Sequence, residues 1–326
     1  RKCISSGTMA PSSRRPASGE TTPATIAGSS SEQLVGETEL RRRTLKRVDG
    51  ELLRRNYKAA VSLVRQWQGK PGGLRGFGAA KLVPQRNFTL EDLISNEMDS
   101  SSLIPLVDSV LDSMQRSLKL SLLDECEPKV PENVSSGKTI ESDAEKDHLM
   151  CSQHEAGHFL VGYLLGVLPR GYKIPSLQDL NNDEFAGGRV EFIGFEFLND
   201  IGTRKMLEKN LERRNSIRRG DRSRLSFTLL NRFSCVILGG LVAEHLSFGY
   251  SEGLRSDVEK LDRVLRWLRF SEGETDSQVK WATLNTILIL RRHQEATLKL
   301  ARAMTSRRSV GSCIDAVEDA LIEQAI

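Results

Sequence analysis

Residues 150–168 read MCSQHEAGHFLVGYLLGVL, and no other stretch limits the fold so tightly. From Phe159 to Leu168 nearly every position is apolar, so a helix here is apolar all round and has to lie inside a core. Its N-terminal half carries His154, Glu155 and His158 towards that interior, where an unpartnered polar or charged group is costly. On an α-helix, residues i and i+4 lie about 40° apart around the axis and one turn along it, so His154 and His158 point the same way. Two neutral imidazoles at this spacing can fill two of the usual four positions around Zn2+. Glu155 stands roughly 100° round from His154, beside the ligand face but off it, where a carboxylate can take a proton from the attacking water. Ala156 and Gly157 keep bulk low next to it. A core helix that merely carries two hydrogen-bonded histidines is the plain alternative.

A catalytic zinc needs a third protein ligand and an open position. The metzincin pattern would put Gly at 161 and His at 164, and the chain has Val161 and Leu164, which excludes that class. The other histidines are His148, His245 and His293; the remaining candidates are mostly carboxylates, among them Glu244 in GGLVAEHLSFG and Asp257 in EGLRSDVEKL. Asp257 also has a purely local reading. Ser256 and Glu259 have capping-box spacing, and an acid in a first turn suits the helix dipole.

The rest of the chain reads as mainly α, with a small β segment. Residues 1–35 form a Ser/Thr/Ala/Pro-rich, basic tail of transit-peptide composition. Residues 36–125 form a helical N-terminal region: one or two amphipathic helices over 36–70, ended by GKPGGLRGFG, and a second stretch over 89–125 with a break expected near Pro105. Residues 126–146 are a polar, proline-bearing linker and the expected domain boundary. Within it, SSGKT at 135–139 ends like a phosphate loop, but Glu132 stands where the first glycine belongs, so no ATP site is expected. Residues 147–326 form the second domain, whose main helix starts near 143 and runs to about 167. A strand-like segment follows at 188–197, then helices at about 225–248, 257–270, 274–306 and 310–324.

Charge and cysteine usage narrow the partners. The net charge of +4 is the remainder of 47 basic and 43 acidic residues, a mixed surface rather than a nucleic-acid-binding field. The insert at 203–224 has nine Lys or Arg against three acids, but no interleaved aromatics for base stacking. No nucleic-acid partner is expected; an RNA-associated factor acting through this insert is the weakest of three readings. Five scattered cysteines with no CxxC pair argue against a disulfide framework and a cysteine-ligated zinc. The apolar runs at 159–168 and 236–242 fall short of the roughly 18–20 residues of a bilayer span, so no transmembrane helix is expected.

Taken together, HEAGH at 154–158, LGGLVAEHLSFG at 238–249 and RSDVEKL at 255–261 resemble three segments of the FtsH-type zinc metallopeptidases, peptidase family M41. These are the family's zinc helix, its Gly-Gly…Ala-Glu-Glu…Phe-Gly segment and its Asn-Asp-Leu, in the same order and helical setting. The resemblance covers residues 147–326 and implies a helical zinc-peptidase domain. It implies Zn2+ held by His154, His158 and Asp257, with Glu155 as general base, and hydrolysis of peptide bonds in proteins. Three features depart from the family. The first 150 residues hold neither a phosphate loop nor room for the family's ATPase module, His245 replaces the second Glu of Ala-Glu-Glu, and SEGLR precedes the Asp. The chain is thus similar to ATPase-less FtsH-like proteins of plants. That likeness implies unfolded substrates or substrates delivered by a separate ATPase, and a homo- or hetero-oligomer with FtsH-type subunits. It also implies a chloroplast location, stromal or membrane-associated, with the mitochondrion as alternative. The rival function is a non-catalytic subunit or chaperone-like partner that keeps a structural metal.

Overall fold

The helix that begins before the two histidines is the centre of the protein. In the computed structural model the residues described are 27–70, 72–85, 100–124, 140–182, 187–198, 226–251 and 255–323. The expected phosphate-loop remnant at 135–139 and the basic insert at 203–224 lie outside them, as does most of the tail. The elements in chain order are α1 (Ala27–Leu53), α2 (Tyr57–Trp67), α3 (Ser100–Asp124), α4 (Ile140–Leu164), β1 (Pro169–Lys173), α5 (Leu177–Asn182) and β2 (Arg189–Phe192). They continue with α6 (Phe227–Ile237), α7 (Gly239–Phe248), α8 (Arg255–Trp267), α9 (Glu272–Arg292), α10 (Gln294–Thr305) and α11 (Val310–Glu323). The protein is mainly helical, with one small antiparallel sheet of two strands among the described residues.

From Ser152 onward helix α4 is buried on every side, as the all-apolar surface of its C-terminal half requires: Phe159, Leu160, Val161 and Tyr163 have no exposure. It packs against α6, α7, α9 and α10, and against both strands. The closest approach is to α7. A Cβ added at Gly157 would lie 2.2 Å from the Gly239 carbonyl oxygen, so the two backbones nearly touch and neither position tolerates a side chain. The strands pair Pro169 with Phe192, Gly171 with Glu191, Tyr172 with Val190 and Lys173 with Arg189, with an irregularity between Pro169 and Gly171. A Cβ at Gly162 would strike the Phe192 ring at 2.3 Å, which shows how tightly β2 is seated on α4.

The helices ahead of the expected boundary share the core of those behind it. Leu45, Val48, Val64, Leu74 and Phe77 join the same apolar cluster as Phe159 and Val317. Buried Arg41 of α1 binds Asp315 (2.7 Å) and Asp319 of α11. The segment after α2 runs along α9, where the Val83 carbonyl accepts from the Trp281 indole at 2.9 Å and the Val83 N–H donates to Asn285 at 2.7 Å.

Several element boundaries differ from expectation, each for a physical reason. Helix α1 starts at Ala27, inside the expected tail of 1–35; once Leu45 and Val48 are packed, each added residue costs little and gains one backbone bond. Helix α4 starts at Ile140, within the expected linker of 126–146. Pro105 does not break α3; it sits in the second turn, where only one intrahelical hydrogen bond is forfeited. The helix expected over 225–248 is two, divided at Leu238 just ahead of Gly239 and Gly240, which are poor helix formers. The helix expected over 274–306 is also two, divided at His293, whose φ of −122° and ψ of 35° turn α10 back onto α4. By length and composition the run Phe227–Phe248 could cross a membrane; here it is mostly buried, as the α6–α7 pair in the core.

Candidate metal centre

Three elements meet at the N-terminal half of α4. Helix α4 supplies His154, Glu155 and His158, α7 supplies Glu244, and the first turn of α8 supplies Asp257. Each is buried, with exposures between 2 and 7%. Helix α8 starts at Arg255, so Ser256 stands inside the first turn rather than ahead of it. Gly240 makes room for the first histidine: a Cβ there would sit 2.4 Å from His154 Nε2.

The geometry is that of three acceptors aimed at one point. His154 Nε2, His158 Nε2 and Asp257 Oδ2 are mutually 2.9 Å apart. The other ring nitrogens fix the tautomers. His154 Nδ1 faces Glu244 Oε1 at 2.7 Å and His158 Nδ1 faces the Val236 carbonyl at 2.7 Å, and both partners accept only, so each ring carries its hydrogen on Nδ1. With neutral rings, both Nε2 atoms then present lone pairs to each other and to a carboxylate oxygen. Such a cluster calls for positive charge, which a proton on His154 or a cation can supply, and the His154, His158 and Asp257 group can hold a metal ion. A tetrahedral zinc with bonds of about 2.05 Å spaces its donors by roughly 3.3 Å, so a small opening of the triangle accommodates it. Glu244 and Val236 are the partners that orient ligating histidines in such sites.

The electrostatics follow from burial and contact. Burial alone would lower the pKa of His154, but Asp257 and Glu244 outweigh it and raise the value well above the ordinary one. Burial pushes Asp257 up, and the two histidines override it and hold it well below the carboxylate range. Burial raises Glu155, against the opposing influence of the two histidines. Glu155 Oε2 is buried without a hydrogen-bond partner among the described residues. Gly188, at the start of β2, lies against this side chain: a Cβ there would fall 2.7 Å from Glu155 Oε1 and 2.8 Å from Cys151 Sγ. Burial pushes the Cys151 thiol up to about 12.

The site opens into a cavity of about 540 Å3. One wall is apolar, with Phe192, Phe195, Phe233, Val236 and Ile237; β2 forms part of the rim from Gly188 to Phe192. Lys260 of α8 also lines it.

Of the residues singled out in the sequence, His154, Glu155, His158 and Asp257 come together, and Glu244 joins them as a partner of His154 rather than as a member of the triangle. His148, His245 and His293 do not belong to the group. Burial lowers the pKa of His245, whose Nε2 has no hydrogen-bond partner among the described residues. Sequence reasoning passed over Gly188, Cys151 and Lys260. For Lys260 the i+3 spacing from Asp257 was an available signal; for Gly188, 33 positions from Glu155, there was none. Cys151, Cys235 and Cys313 are free thiols. Comparison of the chain with protein-family models, with curated proteins and with solved structures finds no match.

Proposed function

We propose that the protein is a zinc-dependent metalloendopeptidase of the FtsH (M41) type. The observation that carries this reading is Glu155 Oε2, a buried carboxylate oxygen with no donor among the described residues, beside three converging acceptors that line a cavity. His154, His158 and Asp257 would hold the metal. When bound, zinc would polarise the scissile carbonyl and acidify water at its open position. Glu155 takes the proton of the attacking water and passes it to the leaving amine; its raised pKa suits a group that must both accept and release a proton. Glu244 and the Val236 carbonyl keep the Nε2 atoms aimed inward. The rim strand β2 offers backbone groups to an extended chain, and the apolar wall would receive a bulky side chain. Substrates are then unfolded or flexible proteins, or proteins delivered by a separate ATPase, and the plastid location comes from the same resemblance.

The experiment is metal analysis of purified protein joined to cleavage of a casein-type substrate. The expected results are one zinc per chain and a 10²- to 10⁴-fold loss of turnover in Glu155→Gln with zinc retained, the order general-base catalysis contributes. A metal-free protein, or undiminished cleavage by Glu155→Gln, would refute the reading. One observation favours a second reading, a non-catalytic subunit with a structural metal: Gly188 presses on Glu155, which is only 4% exposed. That reading gives no cleavage in the unaltered protein and a folding defect in His158→Ala that Glu155→Gln does not share.

A further inference from the structure

Asp257 has two oxygens, and they are put to different uses. Oδ2 faces His154 Nε2 and His158 Nε2, each at 2.9 Å. Oδ1 accepts from Lys260 Nζ at 2.9 Å, with the Ser256 hydroxyl at 3.5 Å. Lys260 stands three residues further along α8, so its side chain reaches back over the same turn. An i,i+3 ion pair between two wet side chains contributes little. This pair is unlike that: the Asp257 side chain is 8% exposed, the Lys260 side chain 45%, and the ammonium reaches from the surface into the cavity wall. Lys260 also acts on Glu155, lowering its pKa against the effect of burial.

We propose that Lys260 is a positioning residue that restricts Asp257 to ligation through Oδ2 alone and so keeps the position opposite the three ligands open. The inference rests on the metal-site reading above. A carboxylate can bind a metal through one oxygen or both, and a two-oxygen mode fills a coordination position that a hydrolytic site leaves to water and substrate. A charge-assisted hydrogen bond held on Oδ1 opposes that mode. The same bond draws electron density from the carboxylate, which leaves the metal more electrophilic. A leucine or methionine at 260 would preserve the helix and remove both effects.

The test uses the full chain loaded with Co2+, whose visible absorption reports coordination number. The unaltered protein should bind one Co2+ and show the intense bands of a four-coordinate ion. In Lys260→Met the ion should remain bound, while band intensity falls by about half or more as the coordination number rises, and Lys260→Arg should restore the intense spectrum. Circular dichroism of the three proteins should coincide, since Lys260 is half-exposed. A Lys260→Met spectrum identical to the unaltered one overturns the proposal while leaving the metal site standing. Loss of the metal in that variant also overturns it, because Lys260 would then serve to hold the site together. Failure of the unaltered protein to take up Co2+ removes the metal-site reading and this inference with it.

Discussion

Glu318 and Glu155 are both buried carboxylates on helices, and their surroundings are opposite. Glu318 has no exposure and three donors: the Arg75 N–H (2.9 Å), the Gly76 N–H (2.8 Å) and the Tyr163 hydroxyl (2.5 Å). Glu155 is 4% exposed, and its Oε2 has none. Burial raises the pKa of each. The first carboxylate ties the loop after α2 to α4 and α11, and its desolvation is offset in part by the bonds it receives. The second is short of donors among the described residues, beside a His154, His158 and Asp257 group that calls for positive charge and can hold a metal ion. A fold able to satisfy Glu318 so fully shows that the arrangement around Glu155 is not a general shortage of donors.

The sharpest way to break this comparison is to remove one group from each cluster. His158→Ala should lower metal affinity by more than about 100-fold, since even the partners behind a ligand are worth 10- to 100-fold, as read by competition with a chelator. Retained affinity would detach the triangle from metal binding. Glu318→Ala should next cost about 3 kcal/mol in urea unfolding, because two backbone N–H groups and a hydroxyl lose their acceptor in the interior. Its metal content per folded molecule should not change; a parallel loss would mean that clasp and site are one unit.

A smaller effect lies in pH. The folded pKa of Glu318 is raised above its ordinary 4.5 because burial outweighs its donors. In the window from 4.5 up to the raised value the folded state binds the extra proton, so this group's contribution to stability falls as pH rises. Glu318→Gln should flatten that slope in unfolding measured across the window, and an unchanged slope would show that another group is responsible. The smallest expected effect is backbone strain. Arg55, Arg269 and Arg307 follow helices α1, α8 and α10 with φ of 58°, 61° and 53°, where glycine is usual. Arg307→Gly should raise thermal stability by about 0.5–1 kcal/mol without touching either cluster, and a destabilised variant would show that the arginine side chain matters more than its backbone.

What was legible in the sequence was what has a short period. The alignment of His154 with His158 follows from 3.6 residues per turn, and the burial of α4 from Phe159 onward follows from an apolar surface with no polar stripe. The first-turn position of Asp257 was also readable, since it depends on a helix start. The division of labour among carboxylates was not. From the residues alone Glu244 and Asp257 both stood as candidates for the third ligand, and the choice of Asp257 came from the resemblance, because only the crossing of α4, α7 and α8 decides which oxygen reaches the triangle and which reaches the far side of a ring. The break at His293 has neither Gly nor Pro to announce it; it comes from the packing of α10 on α4. The contact of Gly188 with Glu155 joins parts of the chain that no local pattern connects.

The pairing of Arg41 with α11 bears on where the protein can be cut. Asp315, Glu318 and Asp319 lie within about one turn of one another on that helix, and the groups that answer their charge come from the first 76 residues: Arg41, Arg42, and the backbone of Arg75 and Gly76. A fragment beginning at residue 147 would retain all four residues of the candidate centre. It would also leave three acids crowded on one stripe of its last helix with no cation or amide to meet them, and Tyr163 of α4 would be their only remaining donor from this network. Self-repulsion would then work against the docking of α11 on α10, which itself lies against the histidine-bearing helix. A fragment that keeps Arg41, more than 100 residues before the first histidine of the site, is therefore expected to be more stable than one that begins at residue 147.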